Sequence, residues 1–198
     1  MKKIFLSGVL AIAAMLTLQA GLNPGDVAKG FTLINVDDTE VSLSDYADQK
    51  GVILVFTCNP CPFAKAYEQR IIQLNNKYAD QGFPVIAINP NDEAVSPEDS
   101  MDKMKMLAAE KEYPFPYLKD ASGEVYKTYG ATRTPHIYLL EVVGGEFKVA
   151  YIGSIDDNAM DASAVSQRYL EKAIASVQAG VPPNPNTTKA IGCTIKAK

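Results

Sequence analysis

The chain has 198 residues, 47% hydrophobic and 21% charged, the proportions of a globular protein large enough for one well-formed core. Its net charge of −4 gives no footprint for nucleic acid or an anionic membrane surface. One histidine, no tryptophan and three cysteines leave little for histidine-based catalysis, and one cysteine is left over from any monomeric disulfide scheme.

Residues 1–20 read as an export signal. Lys2 and Lys3 precede an apolar run over residues 4–18, which is short for a spanning helix of about 20 residues. Leu18-Gln19-Ala20 is an imperfect cleavage site because Leu18 is large, so an uncleaved membrane anchor is the alternative. No cysteine stands near Ala20 to carry a lipid. The globular part is expected outside the cytoplasm, periplasmic or extracellular, where disulfides persist.

Residues 31–36 alternate like a strand, and residues 41–43 form a second after the Asp37-Asp38 turn. Ser44 is placed to cap a short segment at 45–49. An apolar, β-branched strand follows at 52–57. The periodicity predicts a helix over 58–80, with Ala64, Tyr67, Ile71, Leu74 and Tyr78 on one face and Gly82 as its stop. A buried strand at 84–89 completes a βαβ unit and hence a parallel pair. Ser96-Pro97 opens another helix, in which Met101, Met104 and Met106 are read as core. An extended stretch at 113–118, a short helix at 124–129 and a strand at 137–140 come next. Gly144-Gly145 makes a hairpin to residues 147–152. A last helix is expected over 160–179, then a proline-rich linker and a tail ending in Gly192-Cys193-Thr194-Ile195-Lys196.

The chemistry concentrates where the central strand meets the first helix, at Cys58-Asn59-Pro60-Cys61. Unpaired N–H groups and the positive end of the macrodipole favour a thiolate there. Cys58 is therefore expected to be more acidic than a free cysteine, exposed and attacking. Cys61, one turn on, is expected to be more buried and able to close a disulfide with it. Strand–CxxC–helix is the context that marks a redox motif. A structural zinc site would need further ligands, and only Cys193 and His136 are available.

The order of parts resembles the thioredoxin fold: the strand to Cys58-Asn59-Pro60-Cys61, the βαβ unit, Thr134-Pro135 before a strand, the hairpin and the last helix. The pattern over residues 31–46 resembles the redoxin (AhpC/TSA-like, peroxiredoxin-like) branch. Phe115-Pro116-Tyr117-Leu118, Thr134-Pro135-His136, Ile155-Asp156-Asp157-Asn158 and the Cys193 tail resemble one subgroup of it. The resemblance implies an α/β fold with a central mixed sheet flanked by helices and a redoxin-type strand extension at the N-terminus. The domain would span residues 27–180, with residues 181–198 as a tail docked on it.

The resemblance also implies a cis Pro135 beside the cysteines, with the Thr134 backbone offered to an incoming strand. The function implied is an exported thiol–disulfide oxidoreductase, leaning to reductase because proline precedes the second cysteine. It would act on protein thiols and disulfides, draw on an upstream electron donor, and need no cofactor beyond a Cys58–Cys61 disulfide. Asn59, Pro60, Arg133, His136 and Cys193 are possible accessories. Cys193 is read as a buried inert thiol, with an accessory redox thiol as the alternative.

Three positions depart from related families. Val52 stands where thioredoxin has a buried acid. Ala64 stands where membrane reductases have a glutamate. Val55 stands where peroxiredoxins have a threonine. Thiol peroxidase, with Cys58 attacking peroxide, and copper delivery through the cysteines and His136 are the competing functions.

Overall fold

The computed structural model describes residues 21–197; the expected export signal lies outside them. Seven strands form one mixed sheet in the order β2-β1-β5-β4-β3-β7-β8. These are β1 (Thr32–Asn35), β2 (Glu40–Ser42), β3 (Gly51–Phe56), β4 (Val85–Asn89), β5 (Tyr117–Lys119), β7 (His136–Val143) and β8 (Glu146–Gly153). A separate pair joins β6 (Arg133–Thr134) to β9 (Cys193–Thr194). The helices are α1 (Pro62–Tyr78), α2 (Met101–Glu110), α3 (Glu124–Tyr129) and α4 (Tyr169–Gln178).

β3 is central because all six of its residues are buried. It pairs parallel to β4 and antiparallel to β7. Its side chains alternate between two cores, as the two-residue period of a strand requires. Ile53 and Val55 join a core with α1, α2 and α4. Val52, Leu54 and Phe56 join the opposite one with Tyr129 and the N-terminal segment. Each such side chain contributes about 1.5–3 kcal/mol on full burial, so the strand that delivers the cysteines is firmly anchored on both faces.

On α1 the expected face is the buried one: Ala64, Tyr67, Ile71, Leu74 and Tyr78 all point inward. Gly82 takes the left-handed conformation just past it, at φ 92°. The helix starts later than the periodicity predicts, however. Its N-cap is Cys61 and Pro62 is its first residue, so Pro60 and Cys58 precede it. The short segment after β2 is a 3-10 turn at Leu43–Tyr46, begun by Ser42 rather than Ser44; the Ser42 N–H donates to Asp45 Oδ2 at 2.8 Å.

Two further expectations are corrected. Met104 is fully buried in α2, but Met106 is 64% exposed, because two residues on is the far side of a helix. The last helix begins at Tyr169, not near residue 160. In the missing stretch, Asp161 accepts from the Ser163 N–H and Asp157 from the Ser166 N–H. Those local bonds offer the backbone an alternative to the helix.

Candidate active site

The site forms where β3 ends. Cys58 Sγ and Thr134 Oγ1 share a hydrogen bond of 3.0 Å. Cys61 Sγ lies 3.2 Å from the Thr134 carbonyl oxygen. The Thr134–Pro135 peptide bond is cis. Thr134 is fully buried, so a residue 76 positions beyond Cys58 forms the floor on which both sulfurs rest. Cys58, Cys61 and Ala64 make a small apolar cluster, with Phe63 and Cys193 packed on it.

The cysteine pairing differs from the expectation. Cys61 is bonded to Cys193, with Cα atoms 6.0 Å apart, and Cys58 is the free thiol. Cys193 is thus paired and half-buried, not the buried free thiol expected. As a disulfide sulfur Cys61 has no proton to give, so its approach to the Thr134 carbonyl is a contact here and becomes a hydrogen bond only after reduction.

The expected contrast in exposure is also absent: Cys58 is 5% exposed and Cys61 3%. Burial pushes the Cys58 thiol up from its ordinary value, opposed by the Thr134 hydroxyl and reinforced by the negative charge of Asp99. The helix-terminus argument fails for Cys58 because α1 begins four residues later; the dipole's effect is confined to the first turn. In this form Cys58 is held as a thiol.

A polar network behind the motif was not anticipated from the sequence. Asp99 is fully buried. It accepts from the Asn59 N–H (2.8 Å), Asn89 Nδ2 (2.8 Å), Asn91 Nδ2 (2.7 Å) and Ser96 Oγ (2.6 Å). Tyr117 Oη donates to Asn59 Oδ1 at 2.8 Å. Lys119 Nζ donates to the carbonyls of Asn91 and Asp99, and burial pulls its ammonium down from the usual lysine range. Asp99 thus puts a carboxylate behind the CxxC segment. Ser96-Pro97-Glu98-Asp99 reads locally as a helix cap, which hid that role. Asn89 closing an otherwise apolar strand, with Asn91 two residues on, is the one local hint.

The remaining candidates are placed as follows. Asn59 is buried and held by Asp99 and the Glu98 carbonyl, and Pro60 is exposed at the bend before the helix. Arg133 is exposed and reaches the tail, donating to the Gly192 carbonyl at 3.4 Å and Thr194 Oγ1 at 3.3 Å. His136 is buried at the start of β7, its ring 5.0 Å from that of Tyr138. Its Nδ1 accepts from the Thr132 N–H at 3.4 Å. Among the described residues no group of three or more His, Cys, Asp or Glu is arranged to hold a metal ion.

A free thiol, a disulfide and a cis-proline loop at the end of a central strand define the class: a thiol-dependent oxidoreductase of thioredoxin-like α/β fold. The AhpC/TSA family model matches residues 24–152, well over half of the chain, and the protein belongs to that family. It is similar to the thiol-disulfide oxidoreductase ResA of Bacillus thuringiensis, with 26% identity over 131 residues, 65% of this chain and 69% of the relative. It is also 26% identical over 129 residues to a Mycobacterium tuberculosis protein described as a peroxiredoxin, covering 65% and 77% of the two chains. Among solved structures, an uncharacterised conserved protein from Geobacillus kaustophilus superposes with a TM-score of 0.82 at 36% identity, covering 89% of this chain and 93% of that one. A hypothetical protein from Sinorhizobium meliloti gives 0.82 at 31%, over 90% and 96%.

Proposed function

We propose that the protein is an exported thiol–disulfide oxidoreductase that reduces disulfides in other proteins through Cys58 and Cys61. The observation that carries this reading is that both sulfurs meet one residue, Thr134, beside the cis Pro135. Attack and resolution can then occur at a single place. In the fully reduced protein, the Cys58 thiolate attacks a substrate disulfide and expels one substrate sulfur as a thiol. Cys61, deprotonated, then displaces the second substrate sulfur, which also leaves as a thiol. The product is a Cys58–Cys61 disulfide. An upstream dithiol donor returns two electrons and two protons to restore the thiols. Export is supported by Lys2, Lys3 and the apolar run to Leu18, and the reductive direction by the proline before Cys61. The relative named as a thiol-disulfide oxidoreductase supports the same chemistry.

Trapping tests the proposal. Cys61→Ser should accumulate mixed disulfides with exported proteins through Cys58, seen as high-mass bands on a non-reducing gel. Cys58→Ser should trap nothing and lose insulin reduction. Traps formed through Cys193 instead, or an active Cys58→Ser, would overturn the assignment.

A further inference from the structure

We infer that the tail strand β9 is a built-in stand-in for substrate: it fills the edge of β6 where an extended, cysteine-bearing polypeptide would pair, and Cys193 is a third redox cysteine whose exchange vacates that edge. The inference rests on the oxidoreductase reading above.

The register carries it. β9 runs antiparallel to β6, with Arg133 opposite Thr194 and Thr134 opposite Cys193. The tail therefore occupies the backbone next to the cis proline that was expected to be open. Gly192 fits there because it has no side chain: a Cβ would lie 2.3 Å from the Thr134 carbonyl oxygen and 2.9 Å from the Pro135 nitrogen. Beyond the pair, the Ile195 N–H reaches the Thr132 carbonyl at 3.4 Å. The Lys196 N–H reaches Asn91 Oδ1 at 2.8 Å, and the Asp92 N–H reaches the Lys196 carbonyl at 2.7 Å. Extended main chain paired at the edge, with a cysteine at the pairing residue, is the arrangement of a bound strand; the tail differs from a captured substrate in bonding Cys61 rather than Cys58.

The grip is covalent, backed by a short ladder and a few hydrogen bonds. A two-residue ladder is marginal by itself, and the segment that leads to it is largely exposed. The disulfide closes a loop of 132 residues in sequence, and without it the strand keeps only its hydrogen bonds and the packing of Ile195 on the core.

The opening step is an exchange with no net oxidation. Cys58, a thiol at rest, first loses its proton to solvent and then, as thiolate, attacks Cys61 Sγ. The Cys58–Cys61 bond forms as the Cys61–Cys193 bond breaks, and the electron pair leaves on Cys193 Sγ, which takes a proton. The tail is then free to leave, and a dithiol donor reduces the Cys58–Cys61 disulfide. A substrate strand can now pair with Arg133–Thr134 beside two reduced cysteines.

The test uses the full chain and a synthetic extended peptide whose one cysteine is disulfide-bonded to glutathione. Deuterium uptake over residues 131–134 and 190–197 is followed in oxidised and reduced protein, and glutathione release is measured for wild type, Cys193→Ser and Gly192→Ala. Gly192→Ala keeps all three cysteines and only pushes the strand off Thr134. We expect uptake in both segments to rise on reduction and in both variants. We also expect the peptide KM of the reduced protein to fall about tenfold in Gly192→Ala, because a tethered strand competing for the edge at roughly millimolar effective concentration is pushed off, and to stay near wild type in Cys193→Ser, whose tail lacks only the disulfide. If glutathione is released but the KM of Gly192→Ala and the uptake of both variants stay at wild-type values, the tail inference is wrong and the oxidoreductase reading stands. If the folded wild type and both variants release none, both fall together.

Discussion

His136 has an acid-sensitive environment of its own. Burial holds its imidazole down at about 4, against an ordinary value of 6.5, and its Nδ1 must stay unprotonated to accept from Thr132. The unfolded chain therefore binds a proton in a pH range where the folded protein does not. The contribution to stability is whole above pH 6.5 and drains away as the pH falls to about 4, by up to about 3 kcal/mol. His136→Gln keeps an acceptor and does not titrate, so its urea midpoint should fall less than wild type's between pH about 7 and about 4.5. An equal fall in the two proteins would show that His136 is not the group responsible. The histidine is plain in the sequence, but its burial comes from the pairing of β7 with β3, where it faces Phe56. Asp99 is a parallel case: its main partner in the motif is 40 residues away, and no local pattern links them.

At the level of elements, α1 is fixed to the loop after β8 by one carboxylate. Asp156 accepts from Tyr67 Oη at 2.9 Å and from Arg70 Nη1 at 2.6 Å. The Arg70–Asp156 pair is buried, the two side chains being 12% and 3% exposed. Arg70 also donates to the carbonyls of Asn158 and Ala159 and stacks on Tyr67. Removing the carboxylate leaves the guanidinium buried without its counter-charge, so Asp156→Ala should cost about 3 kcal/mol. Urea denaturation would show it, and a loss under about 1 kcal/mol would place the pair among weak surface contacts. The sequence singles out Ile155-Asp156-Asp157-Asn158 only through its resemblance to a redoxin subgroup. The structure supplies the physical reason: Asp156 ties the helix that Cys61 caps to the loop after β8.

For the whole molecule, the first prediction is compartment. The protein is expected outside the cytoplasm, and if the signal is cleaved the mature chain should begin near Gly21. Cell fractionation with N-terminal sequencing checks this, and full-length protein confined to the cytosol would refute it. The sequence by itself determined the strands that alternate cleanly, the inward face of α1, the hairpin at Gly144-Gly145 and the position of the CxxC motif. All of these depend on residues within a few positions of one another. Only the tertiary structure decided which cysteines pair, how buried Cys58 is, that Asp99 stands behind the motif and that the tail fills the β6 edge. Cys61 meets Cys193 across 132 residues, and Thr134 meets both motif sulfurs from more than 70 residues away. Such contacts follow from the order and direction of strands in the sheet. A sequence periodicity reports which face of an element is apolar; it carries no information about which distant segment will come to lie against its end.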